Sequence, residues 1–173
     1  MKKSTFFLLS FLCAQALFAQ NWSQVDTITG PGRDEPNSFT INGKIYVGGG
    51  AVATGGGDNS FYQYDPATNV WTQKANLPDY LWAGQCFALD GKGYMVSGAD
   101  DGGVVSSVYQ YDPVLDQWNI MNNFPGASRQ DGWGFSIGDT GYIFGGFPGG
   151  SELNDLWAHN PKVVGSSPTP ATT

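Results

Sequence analysis

The chain has 173 residues, a formal net charge of −7, 25 glycines and 14% aromatic residues. The acidic balance excludes a nucleic-acid-binding surface, and no basic amphipathic segment suits a membrane surface. The aromatic content excludes disorder, and the glycines lack the three-residue period of collagen.

Residues 1–19 read as a secretory signal peptide. Lys2 and Lys3 give the positive start, Phe6 to Ala14 is apolar with Ser10 as its polar break, and Ala14, Ala16 and Ala19 are small. The apolar run is shorter than the roughly 20 residues of a membrane span, so membrane insertion is not expected. Cleavage is placed after Ala19, with Ala16 as the alternative; Leu12 argues against a lipidated Cys13. The chain is therefore expected to be secreted or periplasmic. Loss of both lysines takes the net charge from −7 to −9. Cys86 is then the remaining cysteine, so no internal disulfide framework is expected. Its place beside Phe87 reads as a small core position.

Beyond the leader, the chain repeats itself. Tyr-Gln-Tyr-Asp-Pro occurs at Tyr62–Pro66 and at Tyr109–Pro113, with Trp71 and Trp118 and then Pro78 and Pro125 following at the same 47-residue offset. Tyr46, Tyr94 and Tyr142 recur every 48 residues, each followed by Gly48-Gly49, Ser97-Gly98 or Gly145-Gly146. A period of this size marks an array of one supersecondary unit. One unit reads as four short strands, a to d. Strand a ends near Ile41, an Asn42-Gly43 hairpin leads to strand b at Lys44 to Gly48, and Asp90-Gly91 repeats that turn. A Gly-rich loop leads to strand c at Phe61 to Tyr64. Asp65-Pro66-Ala67-Thr68-Asn69 then turns the chain into strand d with Trp71.

The Gly-Gly pair after strand b, Tyr-Asp-Pro, and Trp six residues after Asp (Asp65/Trp71, Asp112/Trp118) closely resemble the kelch repeat. The resemblance covers residues 22 to about 161. It implies an all-β fold of kelch-type β-propeller blades, each of four antiparallel strands. It also implies that the glycine pairs sit where blade backbones crowd, and that Tyr46, Tyr94, Tyr142, Trp71 and Trp118 fill the space between blades. Blades are assigned to 31–79, 80–127 and, in part, 128–161.

The third unit departs from the pattern. Leu156 to Pro161 matches the Tyr-Asp-Pro segment with Asn160 in place of Asp, and position 166, where a tryptophan is due, holds Ser166. At the other end, Asn21-Trp22-Ser23-Gln24 resembles Val70-Trp71-Thr72-Gln73, so residues 20–30 read as a strand d. The third blade is thus completed by the N-terminal strand or by a partner chain. A three-bladed ring is narrower than the usual four to eight blades, whereas a homodimer closes a six-bladed ring. The rival is a fragment of a longer protein of this type. Residues 162–173 read as a disordered Pro/Ser/Thr tail, or as translation of a transfer-RNA gene that interrupts such a protein.

No catalytic constellation is found. His159 is the single histidine and is remote in sequence from Cys86, and the Gly-rich stretches lack the Lys-Ser/Thr of a phosphate loop. No cofactor and no metal are expected. The Asp100-Asp101 pair reads first as solvated turn residues. The loops between strands b and c and between d and a emerge on one face, which would carry Tyr80, Trp82, Asp100, Asp101, Arg129, Asp131 and Trp133 as ligand-binding candidates, beside Asp58 and Glu152. Aromatics beside polar groups suit sugar stacking or a protein anchor. The expected function is non-catalytic recognition of a protein or glycan. The alternatives are a carbohydrate-active enzyme, of the sialic-acid epimerase or galactose-oxidase-like kelch type, and a non-functional fragment.

Overall fold

The two-residue turns organise the fold. In the computed structural model, which describes residues 22–53 and 55–162, Asn42 and Gly43 take φ of 50° and 75°, and Asp90 and Gly91 take 50° and 71°. These left-handed pairs match the right-handed twist of the strands they join. The expected signal peptide and the tail from 163 onward lie outside the described residues.

Every regular element among the described residues is a strand. A short ribbon pairs β1 (Arg33–Asp34) with β4 (Ala51–Val52). The first sheet runs β2 (Asn37–Ile41), β3 (Lys44–Gly48), β5 (Phe61–Asp65), β6 (Val70–Lys74). The second runs β7 (Gln85–Leu89), β8 (Lys92–Asp100), β9 (Gly103–Asp112), β10 (Gln117–Ile120). The third contains β11 (Trp133–Ile137), β12 (Thr140–Phe144) and β13 (Leu156–His159). Within each sheet neighbouring strands are antiparallel and consecutive in the sheet's own chain order, as in propeller blades.

The Asp-Pro turn recurs at atomic detail. Ala67 N–H donates to Asp65 Oδ1 at 2.9 Å, and Val114 N–H to Asp112 Oδ1 at 2.9 Å. Asn69 and Asp116 close the turns with φ of 55° and 53°, and accept hydrogen bonds from the hydroxyls of Tyr64 and Tyr111. Lys44 and Lys92 brace Asp65 and Asp112 from strand b. In the third unit Asn160 takes the role of Asp, accepting from Lys162 N–H at 2.9 Å.

The core lies between sheets. Phe39, Tyr46, Phe61, Leu77 and Tyr111 form one cluster between the first and second. Trp118 wedges into it, with its ring 4.9 Å from both Phe61 and Tyr111, and donates its indole N–H to Ala75 O at 2.9 Å. A smaller cluster of Phe87, Leu89, Tyr94, Val96 and Ile143 joins the second and third. Backbones also cross between the sheets. A bulge at Val96/Gly98 turns Gly98 N–H onto Arg129 O at 2.7 Å, as Gly50 N–H bonds Leu81 O at 3.0 Å one unit earlier.

Two expectations need correction. Residues 22–28 form no strand within the chain, and Trp22 is 93% exposed, because the third sheet lies beyond two others and β13 is out of its reach. The loop between strands b and c is long in the first and third units, but shrinks in the second to Asp101-Gly102, because β8 and β9 extend into it.

Candidate functional site

The face formed by the b–c and d–a loops gathers four of the seven candidate residues. Trp82 is locked to the second sheet by Trp82 N–H to Ala99 O, 3.0 Å, and Ala99 N–H to Trp82 O, 2.9 Å. That bridge carries it beside the Asp100–Gly103 hairpin tip. The 55–57 loop of the first unit folds over from the opposite side. Gly57 lies so close that a Cβ there would fall 2.9 Å from Tyr80 Cβ and 3.1 Å from Trp82 Cε3, and one on Gly56 would fall 3.2 Å from Asp101 Oδ1. The result is a cleft of about 510 Å³ lined by Ala51, Gly56, Trp82, Asp100, Asp101 and Gly103, with Tyr80 at its edge and 51% exposed.

The two aromatics are not scaffold. In the repeat register, position 82 is Asp34 in the first unit and Gln130 in the third, and position 80 is Gly32 and Ser128. The Asp34, Trp82 and Gln130 backbones all make the same pairing, to Ala51, Ala99 and Phe147. The fold therefore asks for the backbone there and not for a tryptophan.

The other three candidates lie elsewhere. Arg129 has no exposed surface. Its guanidinium pairs with Asp155 at 2.5 and 2.9 Å, bonds Gly145 O at 3.0 Å and lies 5.0 Å over the Phe124 ring. Burial and full hydrogen bonding remove it from the ligand-binding candidates. Asp155 is held down to about 2, chiefly by the Arg129 hydrogen bonds and also by the Trp157 indole N–H. Arg33 does the same work in the first unit, reaching Gly49 O at 2.8 Å and Asp58 at 3.4 Å.

Asp131 belongs to a backbone chain at one edge of the sheets. Ala83 N–H donates to Glu35 O at 2.9 Å, and Asp131 N–H to Ala83 O at 3.0 Å. All three residues have positive φ. Glu35 is raised from its ordinary value, first by burial and then by Asp131 and Asp34. Trp133, expected on the loop face, instead begins β11 and is 75% exposed, because its side of the third sheet faces no further sheet among the described residues.

Neither Cys86 nor His159 joins the cleft. Burial pushes the Cys86 thiol up to about 12, which leaves it protonated and unreactive. His159 packs against Tyr94, ring centres 5.3 Å apart. Among the described residues no three His, Cys, Asp or Glu side chains are grouped to hold a metal ion.

A family profile described as "Kelch motif" matches residues 33–78, which span β1 to β6. The chain carries a kelch motif over those residues. Its kelch units are similar to the N-acetylneuraminate epimerase of Pasteurella multocida (strain Pm70), 33% identical over 87 residues, and to that of Shigella sonnei (strain Ss046), 30% identical over 86 residues. Each alignment takes 47% of this chain and 23% of the relative, so the chain matches about a quarter of those proteins' length. A solved structure described as "Structure of YjhT" superposes with a TM-score of 0.67 at 19% identity, over 83% of this chain and 56% of that one. At that identity the likeness shows the kelch propeller fold.

Proposed function

We propose that the cleft between the first two sheets binds a carbohydrate, with Trp82 and Tyr80 stacking on a sugar ring and Asp100 and Asp101 accepting its hydroxyls. One observation carries the reading: Trp82 and the carboxylates of Asp100 and Asp101 line a loop-face cleft with Tyr80 beside it, and the two aromatics stand at repeat positions where the scaffold does not require them. Side chains that the fold does not require, placed together in a concavity, mark a binding site. The acidic pair favours neutral, hydroxyl-rich sugars over anionic ones. The similarity to N-acetylneuraminate epimerases favours a glycan over a protein as ligand.

A glycan array followed by calorimetry of the best ligand tests this. Trp82→Ala and Asp101→Asn should each weaken binding roughly tenfold, by removing a stacking surface or a hydroxyl acceptor. Undiminished binding in both variants, or no glycan binding at all, overturns the reading.

Turnover is the second reading, favoured by the same similarity. Interconversion of N-acetylneuraminate epimers, followed by proton NMR, distinguishes it from binding alone.

A further inference from the structure

A cavity of about 450 Å³ lies between the second and third sheets. Its walls repeat the walls that enclose Trp118 between the first and second. Phe87, Tyr94, Val108 and His159 line it at the register positions of Phe39, Tyr46, Phe61 and Tyr111. The spacing repeats as well. His159 lies 5.3 Å from Tyr94 and 6.2 Å from Phe87, where Tyr111 lies 5.6 Å from Tyr46 and 6.4 Å from Phe39. Asn122, also in the lining, holds the position of Ala75, whose carbonyl accepts the Trp118 indole N–H. The cavity matches the seat of Trp118; Trp157 forms part of its wall, and no described residue holds the position of Trp118. Beside it, β13 has one free edge, since among the described residues it pairs only with β12.

We propose that the Trp22 strand of a second copy of this chain occupies the seat. The chain offers one segment of the right chemistry. Asn21-Trp22-Ser23-Gln24 matches Val70-Trp71-Thr72-Gln73 of β6, Trp22 is 93% exposed, and residues 22–28 pair with no strand among the described residues. Residues 162–173 contain no aromatic side chain to fill the seat. The register follows from β5 and β6, where Tyr64 faces Trp71 and Gln63 faces Thr72. Trp22 then faces His159, and Ser23 faces Ala158.

The exchange is reciprocal, so two copies bind through two equivalent contacts and the assembly closes. It brings the third sheet's open face, with Trp133 75%, Phe135 41% and Phe144 44% exposed, toward the first sheet of the other copy. With Trp22, these aromatics present on the order of 500 Å² per copy, judged from the 150–250 Å² that such side chains bury. Counted on both copies, with the surfaces they cover, this reaches the roughly 1,600 Å² of a standard interface. The face-to-face contact is not a copy of the internal ones. Ile45 stands where Gly93 and Gly141 admit Phe39 and Phe87. The strand in the seat therefore carries the proposal.

The purified full chain should sediment as a dimer at equilibrium. Trp22→Ala should weaken the dimer at least tenfold with an unchanged circular dichroism spectrum, since Trp22 is 93% exposed. A mixture of Ser23→Cys and Ala158→Cys variants should form a mixed disulfide that neither variant forms with the parent chain. A monomeric parent, a Trp22→Ala dimer of unchanged affinity, or absence of the mixed disulfide would each overturn the proposal.

Discussion

Arg129 and Asp155, 26 residues apart, form a two-point ion pair whose guanidinium is wholly buried while the carboxylate keeps 39% of its side-chain surface. The pair ties the start of the third unit to the end of its b–c loop. Removing one partner strands a buried cation, which costs more than removing the pair's buried member for an apolar one. Leu81 fills the same register position in the second unit and is also fully buried, so the site accepts leucine. Asp155→Ala should therefore cost about 2 kcal/mol, below the 3–5 kcal/mol of a fully buried pair because water reaches the carboxylate. Arg129→Leu should cost less. Urea denaturation of both variants checks the order, and a larger loss for Arg129→Leu contradicts it.

The same carboxylate gives a pH signature. Asp155 sits at about 2 in the folded chain, against an ordinary value of 3.8. The unfolded chain thus takes up this proton first as pH falls. The resulting stability is complete above about pH 4 and is lost as pH drops toward 2. Asp65 and Asp112, lowered chiefly by their hydrogen bonds to Lys44 and Lys92, act in the same direction. Asp155→Asn should make stability fall less steeply across this acid window. An unchanged slope in urea titrations at successive pH values would show that the pair adds nothing.

Trp71 and Trp118 hold one register position but unequal places. Trp118 wedges between two sheets and bonds across them, whereas Trp71 packs on Tyr64 of its own sheet, ring centres 5.0 Å apart. Trp118→Ala should cost about 3 kcal/mol by opening a cavity at the sheet interface. Trp71→Ala should cost about 1 kcal/mol, mostly lost apolar contact. Thermal unfolding of the two variants measures the gap, and equal losses would refute the wedge role of Trp118.

Much of this architecture is readable from the chain because it is local and repeated. The Asn-Gly and Asp-Pro turns fix their own geometry within a few residues, and the Tyr and Trp landmarks recur at one period, so strands, order and inter-sheet filling all follow. The Arg129–Asp155 pair is different. It joins a short d–a loop to a b–c loop; the first unit has its counterpart in Arg33 and Asp58, but the second has Leu81 and a two-residue loop, so the repeat alone does not announce the pair. The carboxylate cleft was readable only in part. Tyr80 and Trp82 stand out because their counterparts in the other units are small or polar. That Asp131, Arg129 and Trp133 fall elsewhere depends on a left-handed backbone at Asp131, on the partner Asp155 for Arg129 and on the open face of the third sheet for Trp133, none of which spacing encodes.

Position 93 shows how one methyl group separates units of the same repeat. A Cβ on Gly93 would fall 2.1 Å from Phe39 Cζ, and one on Gly141 would fall 2.2 Å from Phe87 Cε2. Each ring lies flat on the next sheet's bare backbone, with Phe39 stacked on Tyr46 at 5.6 Å and Phe87 on Tyr94 at 5.0 Å. Among the described residues the first sheet has no such ring to receive, and Ile45 stands there 38% exposed. Gly93→Ala must push Phe39 out of a packed cluster that also holds Phe61 and Tyr111, and overpacking of that kind costs about 1–3 kcal/mol. Phe39→Val should recover much of that loss in the double variant, because the smaller side chain vacates the clash. Ile45→Ala should shift stability by about 1 kcal/mol or less, as a half-exposed truncation. Chemical denaturation of the four variants in one cycle measures the coupling between positions 39 and 93. Additive losses from Gly93→Ala and Phe39→Val would show that the ring does not rest on the glycine.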